Sequence, residues 1–445
     1  MKLEKYSLLL LLLLTPYAHS ISAPDALKDL HLHAIQAPPD ADTSLTSVVE
    51  LPLELISDNK WRLPKGEYQG NYVIDVPIHL ACDDGAIFNG NNHKNTLNIR
   101  APHVTIENCQ LTNWGQNLTN MDAGIFVERT GEFSNILNNR LSGPGFGIWV
   151  DATPNVTIDK NIIEGDESIR TQDRGNGIHL FAVNFANIIN NEVYHVRDGI
   201  YIEAANDNII DGNYLHDMRY GVHYMFSHRN EVTNNLTRRT RTGLTLMQSR
   251  QLTVHNNRSE FDQNYGILMN YITYSTINDN FVSNVQAGVG DGIHIKGGEG
   301  KGIFIYNSLF NEISHNYFED NALGVHLTAG SEDNKIYHNS FVNNKTQVKY
   351  VSLRKQEWSE EGKGNFWSDY LGWDRNNDGI GDVIYEPNDN VDKLLWLYPQ
   401  VKFLMNSPSI ELLRYVQKVF PVIKYPGVQD SFPLMRPIKN ADSYR

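Results

Sequence analysis

The chain is 445 residues long and carries 52 acidic against 38 basic side chains, a formal charge of −14 at neutral pH. That excess argues against a nucleic-acid partner, whose phosphate backbone is held by clustered Lys and Arg. Its two cysteines, Cys82 and Cys109, match no paired CxxC metal-site spacing.

Lys2 and Lys5 precede an apolar run over residues 8–14 and the small-x-small site Ala18-His19-Ser20, so residues 1–20 read as an export signal. The run is too short to span a bilayer, and no later segment approaches about 18 continuous apolar residues. A soluble, exported mature protein is therefore expected. Residues 21–47 form an N-terminal segment, Pro- and Asp-rich over 21–42, with a short helix expected at 25–35; His31 and His33 there read as solvated.

From residue 48 the pattern turns to strands, as in Trp61-Arg62-Leu63 and Gly85-Ala86-Ile87-Phe88-Asn89-Gly90. Cys82 and Cys109 are 27 residues apart, near one repeat plus a small insertion. Such neighbours suit either a disulfide or two buried thiols.

Between residues 177 and 280 one pattern recurs. Gly177, Gly199, Gly221, Gly243 and Gly266 each precede Ile, Val or Leu, with steps of 22, 22, 22 and 23, and Asn191, Asn213, Asn235, Asn257 and Asn280 keep the same beat. A fixed period of this length marks a solenoid, whose repeats bury their apolar faces only by stacking. Within each repeat apolar residues alternate with period two, which excludes a helical repeat. The chain over 48–345 is therefore expected to be an all-β, right-handed parallel β-helix, with successive coils about 4.8 Å apart and an asparagine ladder bonding side chain to side chain along one turn. The beat slips twice. Gly147 to Gly177 spans 30 residues, the excess lying at 164–174; Asn280 to Asn316 spans 36, the excess including the Gly-rich run 297–302. Both read as surface loops.

Residues 346–445 are expected to form a C-terminal cap. Trp358, Trp367, Trp373 and Trp396 suggest a compact aromatic cluster. Asp374, Asn376, Asp378 and Asp382, with Gly379 at the sixth position, have the spacing of a calcium loop, but Tyr385 stands where the bidentate Glu belongs. Structural calcium and a metal-free turn both fit. Closing helices are expected, one starting with Ser407 as cap and Pro408 at its first turn, its apolar stripe of Ile410, Leu412, Leu413, Val416, Val419 and Phe420 ending before Pro421. That stripe suits either packing over the β-helix end or docking on another protein.

The runs Gly364-Asn365-Phe366-Trp367-Ser368-Asp369-Tyr370, Leu394-Leu395-Trp396, Leu404-Met405-Asn406-Ser407-Pro408 and Asp430-Ser431-Phe432-Pro433-Leu434-Met435 resemble the NosD family, a likeness that extends over essentially the whole mature chain. The resemblance implies a periplasmic, non-enzymatic β-helix protein held at the inner membrane through partners. Those partners are the ABC-type permease NosY and ATPase NosF, with NosL as copper chaperone, and the assembly serves copper-centre maturation of nitrous oxide reductase.

For copper, the informative residues are those expected to point outward from the Gly-Ile strands. The second position after each Gly reads His179, Tyr201, His223, Thr245, and the fourth reads Phe181, Glu203, Met225, Met247. His223, Met225 and Met247 thus share a face and offer imidazole and thioether, donors that suit Cu(I). The same side chains also suit an apolar patch for a protein partner. Two other classes remain. A polysaccharide lyase, hydrolase or C5-epimerase on this fold would use outward acids such as Glu128, Asp151 and Glu203; a polysaccharide-binding module would use Phe126, Trp149 and Tyr201.

Overall fold

The computed structural model describes residues 51–286, 300–328, 330–350, 354–388, 407–419 and 427–438, with Ala34–Ile35 and residue 400. The export signal, most of the 21–47 segment including His31 and His33, the glycines at 297 and 298, Trp396 and the 394–395 and 404–406 runs lie outside the described residues.

Three thirteen-stranded sheets run along the solenoid. One coil contributes one strand to each. Asp198–Glu203 lies in sheet 1, Ile209–Asp211 in sheet 2 and Tyr214–His216 in sheet 3, and Tyr220–Met225 then returns to sheet 1 one coil higher, paired in parallel with Asp198–Glu203. Inward side chains such as Ile200, Ile202, Ile210 and Leu215 fill one continuous core. That is why the period-two pattern is legible along the chain.

The asparagine ladder is built as expected. Nδ2 of Asn191 donates to Asn213 Oδ1 at 3.0 Å, Asn213 to Asn235 at 2.9 Å, Asn235 to Asn257 at 3.0 Å and Asn257 to Asn280 at 3.0 Å. Each Oδ1 also accepts the backbone N–H of the residue one coil earlier, as from Asn191 at 2.9 Å and Asn213 at 3.0 Å. These amides sit where the chain bends from sheet 2 to sheet 3 and satisfy backbone groups that no strand can pair.

Cys82 and Cys109 form a disulfide between neighbouring coils, with Cα atoms 4.9 Å apart. The expected helix at 25–35 does not extend to its end. Ala34–Ile35 is a short strand antiparallel to Asn71–Ile74, because the first coil leaves an unpaired sheet edge that an extended segment satisfies. The Gly-rich run likewise resolves differently at its end: Lys301 and Gly302 open the strand Lys301–Tyr306, with Lys301 in register with Tyr265. Strand pairing also continues beyond residue 345, through Val348–Tyr350 in sheet 1 and Phe366–Trp367 in sheet 3.

The C-terminal end closes on stacked aromatics, with Phe318, Phe341, Trp367 and Tyr385 following one another at 5.2, 4.5 and 4.7 Å. Trp358 joins them in the core, whereas Trp373 is exposed. The pair Gln356–Glu357 and Val428–Gln429 ties the last described segment to this cap. One α-helix is described, Pro408–Val419, with the Ser407 oxygens receiving the Ile410 and Glu411 N–H groups. Ile410 is buried, but Leu412 is 63% exposed and Leu413, Tyr415 and Val416 are exposed too.

Candidate functional site

The repeated glycine sets the geometry of sheet 1. Asp198 pairs with Tyr220 and Ile200 with Val222, and the register passes over Gly199 and Gly221. A Cβ on Gly199 would lie 2.6 Å from the Gly221 carbonyl oxygen and 2.9 Å from Met218 Sδ, inside the coil. Gly199 and Ile200 therefore both face inward. The residue before the glycine and the second residue after it consequently share the outer face.

On that face the register aligns Trp149, His179, Tyr201, His223 and Thr245 on consecutive coils. Their rings touch in sequence, 3.8 Å from Trp149 to His179, 4.7 Å to Tyr201 and 4.5 Å to His223. Although directed away from the core, His179 is only 5% exposed and His223 7%. At the lower end a second apolar cluster, Phe146 and Trp149 with Leu118 and Met121, covers the sheet. At His223, Tyr201 and Tyr220 pack edge-on, and Arg219 lies over the Tyr220 ring.

Each histidine is tied through Nδ1. His179 Nδ1 is 3.1 Å from Asn176 Nδ2, which donates to it, and His223 Nδ1 is 3.1 Å from Asp198 Oδ2. Asp198 is fully buried and receives Arg219 Nε at 2.7 Å and Nη2 at 2.5 Å. Burial alone would raise its carboxyl, but His223 and Arg219 outweigh that and hold it below the usual range. Burial pushes the His179 imidazole down, against the pull of Glu203 3.8 Å away. The Nε2 atoms of both histidines are buried with no hydrogen-bond partner among the described residues, as are Trp149 Nε1 and Thr245 Oγ1 in the same column.

The fourth position is as expected. Met225 and Met247 are direct partners on adjacent strands, both half-buried, and Met225 stands on the strand of His223 two residues further along. The turn that follows is aromatic and open: Phe226, Tyr271, Tyr274, Tyr306 and Phe310 are exposed, with Tyr274 and Phe310 stacked at 5.3 Å. Such a patch beside the methionines fits a protein contact.

The acids and rings of the saccharide readings are divided. Phe126, Glu128 and Asp151 line one cleft of about 690 Å³ with Asn98, Arg100 and Arg129. Arg100 holds Glu128 at 2.7 Å and Arg129 holds Asp151 at 3.1 Å. Glu203 lies two coils away from Asp151, separated from it by Phe181.

The 374–382 segment is a turn closed by its own side chains. Asp374 accepts the Asp378 and Gly379 N–H groups, Asn376 accepts Asp378, Asp378 accepts Ile380, and Asp382 accepts Arg375. Tyr385 is buried against Trp367 instead of reaching the turn. Among the described residues no group of three or more His, Cys, Asp or Glu is arranged to hold a metal ion.

Sequence reasoning missed Asp198, Asn176 and Arg219. Their signal was the residue directly before each glycine and the arginines at 197, 219 and 241, which keep the 22-residue step.

Fold and face together define a parallel β-helix protein whose outer sheet 1 surface carries imidazole and thioether groups. The family model described as "Periplasmic copper-binding protein (NosD)" matches residues 160–372. The chain is 62% identical over 397 residues to the probable ABC transporter binding protein NosD of Stutzerimonas stutzeri, spanning 89% of this chain and 91% of that one. It is 63% identical over 386 residues to the protein of the same description from Pseudomonas aeruginosa, spanning 87% and 90%. The chain belongs to the NosD family. Among solved structures it is similar to the family 28 exopolygalacturonase of Yersinia enterocolitica, with TM-score 0.49, 12% identity and coverage of 68% and 72%. Likeness to the DFA-IIIase of Arthrobacter chlorophenolicus has TM-score 0.48, 15% identity and coverage of 70% and 88%. No helix among the described residues is long and apolar enough to cross a membrane.

Proposed function

We propose that this chain is a periplasmic, non-enzymatic accessory protein in the assembly of the copper centres of nitrous oxide reductase. It is held at the inner membrane by an ABC-type permease, NosY, and its ATPase, NosF, and it receives copper from the chaperone NosL. The observation that carries the reading is a conjunction. The relatives matched along nearly the whole chain are described as ABC transporter binding proteins and the family as copper-binding, and the outer face places His223, with its unbonded Nε2, beside the stacked Met225 and Met247. Copper is cargo here. Imidazole and thioether suit Cu(I), and His223, Met225 and Met247 are the residues that would hold it. The exposed aromatic turn next to them supplies a contact surface for the protein that gives or takes the metal.

Two measurements test this. Purified from membranes, the tagged chain is expected to bring down an ATPase and a permease. Cells lacking the chain are expected to accumulate reductase protein with its copper absent. A normally copper-loaded reductase in those cells would refute the proposal.

The cleft lined by Phe126, Glu128 and Asp151 favours a second reading, the binding of a saccharide. Because both carboxylates are already paired with arginines, this reading predicts glycan binding without cleavage.

A further inference from the structure

Among the outward groups of sheet 1, Asp198 stands apart. It is a carboxylate with no exposed surface, one coil below His223, and its Oδ2 is shared between His223 Nδ1 at 3.1 Å and Arg219 Nη2 at 2.5 Å. A carboxylate that only accepts there requires the imidazole to carry its proton on Nδ1. The ring is then fixed as the tautomer whose Nε2 lone pair is free, and Nε2 is the atom that no group among the described residues hydrogen-bonds. Tyr201 and Tyr220, edge-on to the ring, keep it from rotating.

We infer that Asp198, itself held by Arg219, is the positioning residue that presents His223 Nε2 as a ligand to a soft metal ion. The inference rests on the copper reading above. A carboxylate behind a ligand imidazole fixes its orientation and raises its basicity, and losing such a partner typically weakens metal binding about 10–100-fold. A parallel contact elsewhere supplies a control: Asp217, paired with Arg239, receives His216 Nδ1 at 2.7 Å on the outer face of sheet 3, away from the methionines.

The test uses the soluble chain, Cu(I) with a competing chelator, and ¹⁵N-histidine spectra. In the metal-free wild-type protein His223 is expected as the Nδ1–H tautomer. Asp198→Ala is expected to lose about 10–100-fold in Cu(I) affinity, Asp198→Asn to recover part of it through its amide oxygen, and Asp217→Ala to leave it unchanged. Two results would overturn the inference: an Nε2–H tautomer in the wild type, which is decisive even if Asp198→Ala fails to fold, or wild-type affinity in folded Asp198→Ala. Should His223→Ala also bind Cu(I) normally, the copper reading itself fails. If only His223→Ala weakens binding, the failure belongs to Asp198 alone.

Discussion

Asn365 gives its backbone N–H to Asp430 Oδ2 at 2.7 Å, and with that bond a carboxylate from the last described segment terminates the asparagine ladder. Asn339 donates to Asn365 Oδ1 at 2.9 Å, and among the described residues none above Asn365 belongs to the repeat. Asp430 takes the place of the next rung and also receives Trp367 Nε1 at 2.8 Å and the Phe432 N–H at 3.1 Å. Removing it by Asp430→Ala leaves the Asn365 N–H and Trp367 Nε1 unsatisfied in a buried site. A loss on the order of 2–4 kcal/mol is expected, read as a lowered urea midpoint. An unchanged midpoint would mean that the C-terminal segment does not cap the solenoid.

Asp262 is a buried acid within the solenoid. Its oxygens accept the Thr240 N–H and hydroxyl and the Thr237 and Ser259 hydroxyls, at the position where Asn321 and Asn344 stand in later coils. Burial raises its pKa from 3.8 to about 6. Since the folded value is the higher one, the stability linked to its proton is complete below pH 3.8 and is lost as pH rises through about 6. Asp262→Asn places there the amide that later coils carry and is expected to add about 1–2 kcal/mol at pH 7.5, and little at pH 4. Melting temperatures of the two proteins across this range would check it; parallel curves would contradict the assignment.

The two methionines separate a metal site from a contact patch. Met225→Leu with Met247→Leu keeps volume and apolarity but removes both thioethers. If they ligate copper, Cu(I) affinity falls steeply and the reductase stays unloaded. Full loading with the leucine pair assigns the residues to contact, and full loading with Glu at both positions would remove the whole face from the mechanism.

Leu412 and Val416 lie exposed on the 408–419 helix, so Leu412→Glu and Val416→Glu are expected to leave the melting temperature within a few degrees. If this face docks on the membrane partner, both variants are recovered in the soluble fraction while still folded. Loss of folding instead would make the stripe part of the cap.

The fold was legible in the sequence because a solenoid repeats its physics. The 22-residue step of Gly177 to Gly266 and of Asn191 to Asn280 reported the coil, and period-two alternation reported strands, with no long-range contact needed to decode either. The outward placement of His223, Met225 and Met247 followed from that alternation alone. What surrounds them did not. Strict alternation counted back through Gly199 sends Asp198 inward, and only the local backbone at the glycine, which the strand register passes over, turns it out toward His223. Burial of the outward histidines likewise depends on neighbouring coils, since Tyr201 and Tyr220 reach His223 across the stack. The cysteine pairing and the Asp430 cap were open for the same reason: a spacing of 27 residues suits two states, and residues 365 and 430 are joined only when the chain returns over the end of the solenoid. Sequence thus determined the period and the direction of the side chains that follow each glycine, because both are local properties of a strand, whereas tertiary structure decided where Asp198 turns and which outward groups are dry, paired and fixed, because those depend on what the adjacent coil brings within about 3 Å.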